Sequence, residues 1–497
     1  MLILLSFRFL SFLAMNSSQS YLSGYSILVP LSYLKSCSLI GQLPKDLLNL
    51  RELEDLVMED NNFDGPIPDW LGEFEHLKTL NLGVNNFSGS IPTNLGNRST
   101  LITLDVASNP LTRVMSEKNL AKLSKLKLLA IYSYSTLKLD FDSDWIPPFQ
   151  LEGLVLGFSN PNLPAWLYTQ RSIENLFIWD SSFEAPDKFW NLVSAIADVQ
   201  LQNNLIHGDM SNVLLNSTYI DISSNCLKGG LPQLSANVVF VSLSNNLLSG
   251  ELSPLLCGHN ALNGKSSLLY LDISLNNLSG GLTNCWKNWK SMVVLHLGRN
   301  NLSGKLPPSL GLLSNLTSVH LHKNKLYGEI PPSLQNCRSL LVFNVRNNQL
   351  SGNIPDWISH GVLALQLRSN HFSGKISPQI CQMSSLIVLD IAQNTISGHI
   401  PSCLGNIKTL LLNNVSHHKL SFEFPLFYSS LISDDNLELV TKGQVLEYGR
   451  NLHFMTLIDM SSNNLSGTIP PQMFSLIGLH SLNLSNNKLA GEIPNEI

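Results

Sequence analysis

Four of the seven cysteines occupy equivalent places in a repeated pattern, and their spacing suggests thiol chemistry. Cys257 and Cys381 each follow an asparagine by eleven residues, and Cys285 and Cys403 each follow the next repeated asparagine by nine. Neighbouring coils stack roughly 5 Å apart, which suits the Cα separation of about 4.4 to 6.8 Å in disulfides. The spacing predicts two disulfides, Cys257 with Cys285 and Cys381 with Cys403. Ordinary buried thiols are the alternative; a zinc site is disfavoured because no cysteine or histidine has zinc-ligand spacing.

A second candidate site consists of basic side chains at solvent-facing strand positions, which lie four, two and one residues before each repeated asparagine. This basic stripe comprises His296, Arg299, His320, His322, Lys323, Arg346 and Arg368. A stripe of one sign can bind acidic peptide or carbohydrate ligands, and its histidines can respond to mildly acidic pH. The alternative is a solvated face without a ligand.

Aromatic side chains occupy the same solvent-facing positions in three earlier repeats. This aromatic cluster comprises Tyr132, Phe158, Phe177 and Trp179. A soluble protein rarely leaves such a cluster exposed without a partner, so these residues are ligand-binding candidates. The same repeats have Tyr134, Ser159 and Ser181 in place of the asparagine. This irregularity leaves open the alternative that the aromatic side chains fold into a distorted core.

The sequence lacks the usual signatures of an enzyme. It contains no G-x-S-x-G nucleophile motif, no H-R-D or D-F-G kinase motif and no phosphate-binding G-x-x-x-x-G-K. His417 and His418 have no catalytic constellation nearby in the sequence. With 13% charged residues and a net charge of -5, the chain has no basic tail for nucleic acid. We therefore expect no enzymatic activity, no cofactor and no nucleic-acid partner.

A repeat must position all of these side chains. Its frame, clear at residues 77–92, reads Leu-x-x-Leu-x-Leu-x-x-Asn-x-Phe-x-Gly-x-Ile-Pro, and eighteen segments fit it with a modal spacing of 24 residues. Alternate residues of the short strand face inward, and stacked neighbours must bury them. The asparagine amide is expected to bond backbone groups of its own coil and the next. This frame predicts an α/β-type solenoid, a right-handed leucine-rich-repeat superhelix with a parallel β-sheet on the concave face and a mostly irregular or 3-10 convex side.

One long insertion interrupts the repeat between Asn394 and Asn463, whose spacing of 69 residues exceeds one coil by 45. The extra segment, 409–453, is called the island. It is predicted to be a loop-rich excursion that leaves the flanking coils independent and carries partner contacts. Its candidate contacts are Phe422, Phe424, Phe427 and Tyr428. The predicted organisation is a degraded signal or N-terminal segment at 1–28, repeats at 29–408, the island, and further repeats, cut short, at 454–497.

Several features predict an extracellular location. Residues 1–15 are apolar apart from serines and Arg8, as in a poor secretory signal. Ten N-x-S/T sequons occur, half of which are by-products of the repeat. Glycosylation is predicted at Asn97, Asn216, Asn315 and Asn414. No later stretch offers the roughly 20 consecutive apolar residues of a transmembrane helix.

Three longer phrases carry a family resemblance: SDWIPPFQLEGLVLG, LTNCWKNWKSMVVLHLGRNNLSGKLPPSLG and LELVTKGQVLEYGRN. Together with the Gly-x-Ile-Pro repeat, they resemble plant leucine-rich-repeat receptor-like proteins, especially the group of fungal-xylanase receptors and scab-resistance proteins. The resemblance covers roughly residues 30 to 497. It implies a cell-surface receptor without its own kinase that detects pathogen or peptide signals and recruits a receptor-kinase co-receptor through its island and late repeats.

The chain departs from this family at both ends. No C-C-x-W cap motif precedes Cys37, and the sequence stops at Ile497, so truncation is expected and the family's membrane anchor would lie outside this chain. The predicted function is recognition of a peptide, protein or carbohydrate ligand at the outer side of the plasma membrane, or as a secreted protein if the short form is real. The alternatives are a fragment of a receptor-kinase ectodomain and a soluble wall inhibitor of microbial hydrolases.

Overall fold

The computed structural model of the protein describes residues 34–97, 100–135, 137–157, 162–258, 266–358, 361–411, 421–423, 432–434, 436–441, 443–449, 452 and 455–493. The chain divides into two compact units. Unit 1 comprises Met1–Asp209 with Leu215–Leu227, and unit 2 comprises Met210–Leu214 with Lys228–Ile497. Within each unit, stacked coils pair through parallel strands.

In unit 1, successive coils each contribute one short strand to a parallel sheet. These strands are Asp55–Val57, Thr79–Asn81, Thr103–Asp105, Leu128–Ile131, Gly153–Gly157, Asn175–Trp179, Asp198–Gln200 and Tyr219–Asp221. Neighbouring strands pair in register, as Leu80 does with Leu104. Both leucines are fully buried, because alternate strand residues point into the stack and away from the solvent-facing positions.

Unit 2 has the same arrangement. Its strands are Phe240–Ser242, Tyr270–Asp272, Val294–His296, Ser318–His320, Val342–Asn344, Ala364–Gln366, Val388–Asp390, Leu457–Asp459 and Ser481–Asn483. Val388–Asp390 pairs directly with Leu457–Asp459, so the residues between them lie outside the sheet. The predicted solenoid, with one parallel strand per coil, is confirmed in the repeats that the structure describes.

The opposite side of the coils carries further short strands and single helical turns. The strands are Ile40–Gly41, Asn62–Pro66, Asn86–Ser88, Val114–Met115, Lys138–Leu139, His207–Asp209, Leu214–Leu215, Cys226–Gly229, Gln233–Leu234, Leu247–Gly250, Asn277–Leu278, Ser303–Gly304, Lys325–Gly328, Gln349–Asn353, His371–Ser373, Ser397–Gly398, Asn464–Gly467 and Lys488–Leu489. The 3-10 helices are Lys45–Asn49, Asp69–Glu73, Thr93–Asn97, Glu117–Asn119, Ala165–Thr169, Cys285–Asn288, Pro308–Leu312, Pro332–Asn336, Pro378–Gln382, Ser402–Asn406 and Pro471–Ser475. The α-helices are Asp187–Val193, Ser253–Cys257 and Lys408–Leu411. Over the described ranges, none of the helices is long and apolar enough to cross a bilayer.

The Gly-x-Ile-Pro phrase makes the turn from strand to 3-10 helix. In one coil, Gly328 ends its strand at a φ of +82°, a left-handed conformation that glycine adopts without strain. Ile330 is buried as the apolar anchor. Pro331 then caps the helix Pro332–Asn336 in an extended conformation that does not require a backbone donor.

The repeated asparagine joins adjacent coils through its amide. In Asn324, Nδ2 donates to the carbonyls of Leu297 and Leu321, both at 3.0 Å, and Oδ1 accepts from the amide of Leu302 at 2.9 Å. Leu297 and Leu302 belong to the preceding coil, so the inter-coil bond runs backwards along the chain and not to the next coil as predicted. The residue before the asparagine, here Lys323, is left-handed with a φ of 53°.

Replacing Asn324 with alanine is expected to destabilise unit 2 by about 2–3 kcal/mol, because several buried backbone groups would lose their hydrogen-bond partner. Chemical denaturation followed by circular dichroism would measure the loss. Asn336→Ala is the matched control, because this asparagine is exposed at the end of a 3-10 helix. Equal destabilisation by the two substitutions would contradict the proposed role of the amide.

Two disulfides connect neighbouring helical turns in unit 2. Cys257 is bonded to Cys285 with a Cα separation of 5.5 Å, and Cys381 is bonded to Cys403 with a Cα separation of 5.8 Å. Both predicted pairings are therefore present. Among the described cysteines, Cys337 is a buried free thiol whose pKa is raised by burial to about 11, so it is protonated and unreactive at neutral pH.

Candidate functional site

The described part of the island contains two antiparallel strand pairs. Ser421–Glu423 pairs antiparallel with Ile432–Asp434, and Leu437–Thr441 pairs antiparallel with Gln444–Tyr448. The second pair is called the island hairpin. The prediction of a loop-rich island is thus corrected, because these strands form regular antiparallel ladders.

Apolar side chains of the island hairpin belong to the core of unit 2. Leu437 and Leu439 are fully buried on one face of their strand. They join one hydrophobic cluster with Val342, Leu363, Ala364, Ile387, Val388, Leu452 and Leu457. The island hairpin therefore packs against the flanking coils, and the expectation that these coils stay folded without the island stays a prediction.

Glu438 projects from the opposite face of the same strand into the basic stripe. Both oxygens of its carboxylate lie 2.9 Å from Nζ of Lys323, and one of them lies 3.2 Å from Nη2 of Arg346. The carboxylate also pairs with Arg299. Its backbone carbonyl accepts hydrogen bonds from Arg346 Nη1 and Gln366 Nε2, both at 2.8 Å. A single island residue thus contacts several successive coils.

These contacts correct the sequence-based view of the basic stripe. Arg346, Arg368 and His320 are buried, so the alternative of a solvated face is wrong for these three side chains. Arg368 places Nε 2.7 Å from a carboxylate oxygen of Asp390 and also pairs with Asp459. Its charge is used inside the protein, which removes Arg368 from the ligand-binding candidates.

The histidines of the stripe form a row of rings. The centroids of His296 and His320 are 4.3 Å apart, and that of Tyr270 lies 5.9 Å from His296. Burial, followed by the nearby positive charges, holds the pKa of His322 far below its ordinary value. His322 therefore stays neutral at mildly acidic pH, and the predicted pH response is wrong for this residue.

Two cavities lie on either side of Glu438, between the island hairpin and the sheet. The first, called the ring cavity, has a volume of about 390 Å³ and is lined by Ser244, Tyr270, Asp272, Ser274, Leu275, His296, Arg299, His320, His322, Asn344, Asn436, Glu438 and Glu447. The second, called the cation cavity, has a volume of about 450 Å³ and is lined by Arg299, Lys323, Arg346, Asn347, Glu438, Val445 and Glu447. Both combine charged groups with partial enclosure, as ligand sites do.

Neither cavity presents the groups of a metal centre. Within the described ranges, no cluster of three histidine, cysteine or carboxylate side chains is arranged to hold a metal ion. The groups that line the two cavities are hydrogen-bonding, charged and aromatic side chains.

The aromatic cluster lies in unit 1. Phe177 and Trp179 are half-buried on strand Asn175–Trp179 and alternate with fully buried neighbours, so they face outward and not into a distorted core. Tyr132 donates a hydrogen bond to Asp180, and burial together with this contact raises its pKa to about 12. Phe158 lies outside the described residues. Ligand binding by this cluster stays a prediction.

Several other predicted sites are only partly described. Phe422 lies in strand Ser421–Glu423, whereas Phe424, Phe427, Tyr428 and Asn414 lie outside the described residues. Asn216 and Asn315 are exposed, as glycosylation requires, and Asn97 ends a 3-10 helix. Glycosylation at these asparagines stays a prediction. The residues that sequence reasoning missed are Glu438 and Glu447 of the island hairpin and Tyr270 of the ring cavity.

Known proteins share both the repeat and the fold. The Leucine Rich Repeat family model matches residues 76–97, 291–313, 315–337, 339–360, 385–407, 454–476 and 478–497. Receptor-like protein EIX2 of Solanum lycopersicum is 35% identical over 380 residues, which cover 74% of this chain and 36% of that protein. The chain thus spans about a third of the length of this relative.

Solved receptor ectodomains have the same fold. The leucine-rich-repeat ectodomain of the Arabidopsis receptor kinase HAESA, in complex with an N-terminally extended IDA peptide hormone, superposes with a TM-score of 0.66 at 27% identity, covering 92% of this chain and 70% of that one. HAESA with IDA and the co-receptor SERK1 gives a TM-score of 0.57 at 26% identity, covering 92% and 77%. Repeats, sequence identity and fold agree, and the chain belongs to the plant leucine-rich-repeat receptor-like proteins.

Proposed function

We propose that this chain is the extracellular recognition part of a plant cell-surface receptor that perceives a pathogen-derived or endogenous peptide and signals in defence through a partner kinase. The observation that carries the proposal is the pair of cavities between the island hairpin and the sheet of unit 2. Converging charged and polar groups between two strands and a sheet suit the capture of an extended peptide.

The comparisons support the kind of ligand and partner. The HAESA ectodomain is described in complex with the peptide hormone IDA, and also with IDA and the co-receptor SERK1. By analogy, a peptide or small protein is the ligand of this chain, and a leucine-rich-repeat receptor kinase is its partner. The chain itself acts by binding and not by catalysis.

The ring cavity gives a direct test of this function. Peptides that bind the purified chain are selected from a displayed library. The affinity of each selected peptide is then measured for the unchanged chain and for the His296→Ala variant. Because the His296 ring lines the cavity and lies beside His320, we expect the affinity to fall about tenfold or more. The matched control is His371→Ala, since His371 is exposed on the opposite side of the coils.

Two outcomes would contradict the proposal. Selected peptides that bind the His296→Ala variant as tightly as the unchanged chain would place the ligand elsewhere. A cell-surface receptor carrying this ectodomain that recruits no receptor kinase after treatment with those peptides would remove the signalling role. Recruitment is measured by co-immunoprecipitation from plant cells.

A further inference from the structure

The cation cavity holds more positive than negative charge. Arg299, Lys323 and Arg346 surround the single buried carboxylate of Glu438, whose side chain is 11% exposed. The other acidic side chain at this cavity is Glu447, which is exposed on the outer strand of the island hairpin. One net positive charge remains when both carboxylates are counted.

Two further acidic groups lie outside the cavity lining. Asp390 and Asp459 both pair with Arg368, so this neighbouring cluster carries one net negative charge, and Asp390 acts on Arg346, the most buried cation of the cavity. His322 is neutral, as its lowered pKa indicates. Burial, followed by repulsion from Arg299 and Arg346, lowers the pKa of Lys323 to about 8, although Glu447 acts in the opposite direction.

Two of the three cations can reach a ligand. The side chains of Arg299 and Lys323 are 38% and 32% exposed, whereas that of Arg346 is 4% exposed. In the part of the chain that the structure describes, Nε of Arg346 is buried without a hydrogen-bond partner. The cavity thus offers accessible charge-assisted donors at its mouth and an unused donor behind them.

Glu438 is a permanent wall of this cavity and does not behave as a displaceable occupant. The leucines on either side of it, Leu437 and Leu439, are fully buried in the core of unit 2. Pulling Glu438 out would expose both, at a cost of about 2 kcal/mol for each side chain. A ligand anion must therefore bind beside Glu438 and not replace it.

We propose that the cation cavity binds one carboxylate of an acidic peptide, an aspartate or glutamate side chain, through Arg299 and Lys323 beside Glu438. The site takes a singly charged group, because only Arg299 and Lys323 are exposed to it and Glu447 at the rim opposes a second negative charge. Val445 is 55% exposed at the same rim and offers contact to an apolar residue next to the acidic one. This inference rests on the proposed function in one respect, which is that the ligand binds at the cation cavity.

The test measures the binding of three short fluorescent peptides to the purified chain at low salt. The first has acetylated and amidated ends and the sequence Gly-Val-Asp-Val-Gly, and the second has asparagine in place of aspartate. The third is the asparagine peptide with a free carboxyl end, which distinguishes a terminal carboxylate from a side-chain one. Fluorescence anisotropy gives the affinities, and we expect only the aspartate peptide to bind appreciably.

Variants of the cavity are chosen to keep the backbone unstrained. Arg299 and Lys323 both have left-handed φ, and asparagine occupies the equivalent position at Asn245 and Asn347. Arg299→Asn and Lys323→Asn are therefore expected to fold and to weaken binding of the aspartate peptide about tenfold to a hundredfold each. Lys325→Asn removes the same charge from the opposite side of the coil and should change the affinity less than about twofold.

The affinity should also depend on pH in one direction. The Lys323 ammonium, which faces Arg299, Arg346, Glu438 and Glu447, loses its proton as pH rises through about 8. The peptide carboxylate stays ionised from pH 6 to 9, since its pKa is about 4. Binding should therefore weaken from pH 7 to pH 9, and the Lys323→Asn variant should lack this dependence.

The opposite results would overturn the inference. Equal binding of the aspartate and asparagine peptides, or equal loss in Lys325→Asn and Lys323→Asn, would show that the cavity does not recognise a carboxylate. Binding of the free-ended peptide alone would exclude the side-chain assignment. Because these measurements need neither a kinase nor a natural ligand, a receptor that fails to signal while the aspartate peptide binds would reject only the proposed function.

Discussion

Glu438→Ala is expected to release the island hairpin and to destabilise unit 2 by about 3–5 kcal/mol, because it removes the common acceptor of a partly buried cation cluster. Arg346, which is almost fully buried, would keep its charge without the carboxylate that balances it. Hydrogen exchange of residues 437–448 would measure the release, and chemical denaturation would measure the stability. Hydrogen exchange of sheet strands that do not contact the hairpin, such as Phe240–Ser242, should change much less.

The control lies on the adjacent strand. Glu447 is directly opposite Glu438 in the hairpin but is exposed, so Glu447→Ala should cost less than about 0.5 kcal/mol. Glu438→Gln should fall between the two, because it keeps the side-chain shape and one acceptor oxygen but loses the charge. A Glu447→Ala variant as unstable as Glu438→Ala would show that the hairpin is held by other contacts.

Most of the fold could be predicted from the sequence because its determinants are local and repeated. A regular coil contains its own buried leucines, its asparagine and its Gly-x-Ile-Pro turn, so the coil of Asn324 explains the other regular coils. Even substituted coils keep the frame: Ser181 replaces the asparagine and is still buried, with Oγ bonded to the carbonyl of Trp179.

Only the part of the candidate site that lies on the sheet could be predicted from the sequence. Position within the repeat identified Arg299, Lys323 and Arg346 as residues of the sheet face, but their shared partner Glu438 is between 92 and 139 residues away along the chain. Periodicity carries no information about such a contact. A local signal did exist, since Leu437-Glu438-Leu439 alternates as a half-buried strand does and Gly443 supplies a left-handed turn before the next strand.

Arg368 shows why the sign of a side chain's charge does not by itself predict a ligand-binding residue. The stripe was defined by basic residues, whereas Asp390 and Asp459 occupy the strand position of Gln366, two residues before Arg368, in the two coils that follow. Residues two apart on a strand share one face of the sheet, so Arg368 reaches both carboxylates diagonally across neighbouring coils. A basic residue on the sheet face is therefore a ligand candidate only when its neighbours along the sheet carry no acid.

Arg368→Leu is expected to be the most pH-sensitive change in the protein. Loss of the guanidinium leaves the buried carboxylates of Asp390 and Asp459 together without a cation, which should cost about 3–5 kcal/mol at neutral pH. Burial already raises the pKa of the Asp390 carboxyl, and loss of the guanidinium that opposes this effect would raise it further above its unfolded value of about 4. The folded variant would bind protons as pH falls, so its stability should rise from pH 8 to pH 5.

Thermal unfolding across this pH range, compared with the unchanged chain, measures both the loss and its recovery. The double variant Arg368→Leu with Asp390→Asn should regain part of the stability at pH 8, because only Asp459 remains charged and Asn483 Nδ2 still donates to it at 3.2 Å. It should also depend less on pH than the single variant. If Arg368→Leu unfolded at the same temperature as the unchanged chain, or lost stability on acidification, the three residues would not form a stabilising buried ion-pair network.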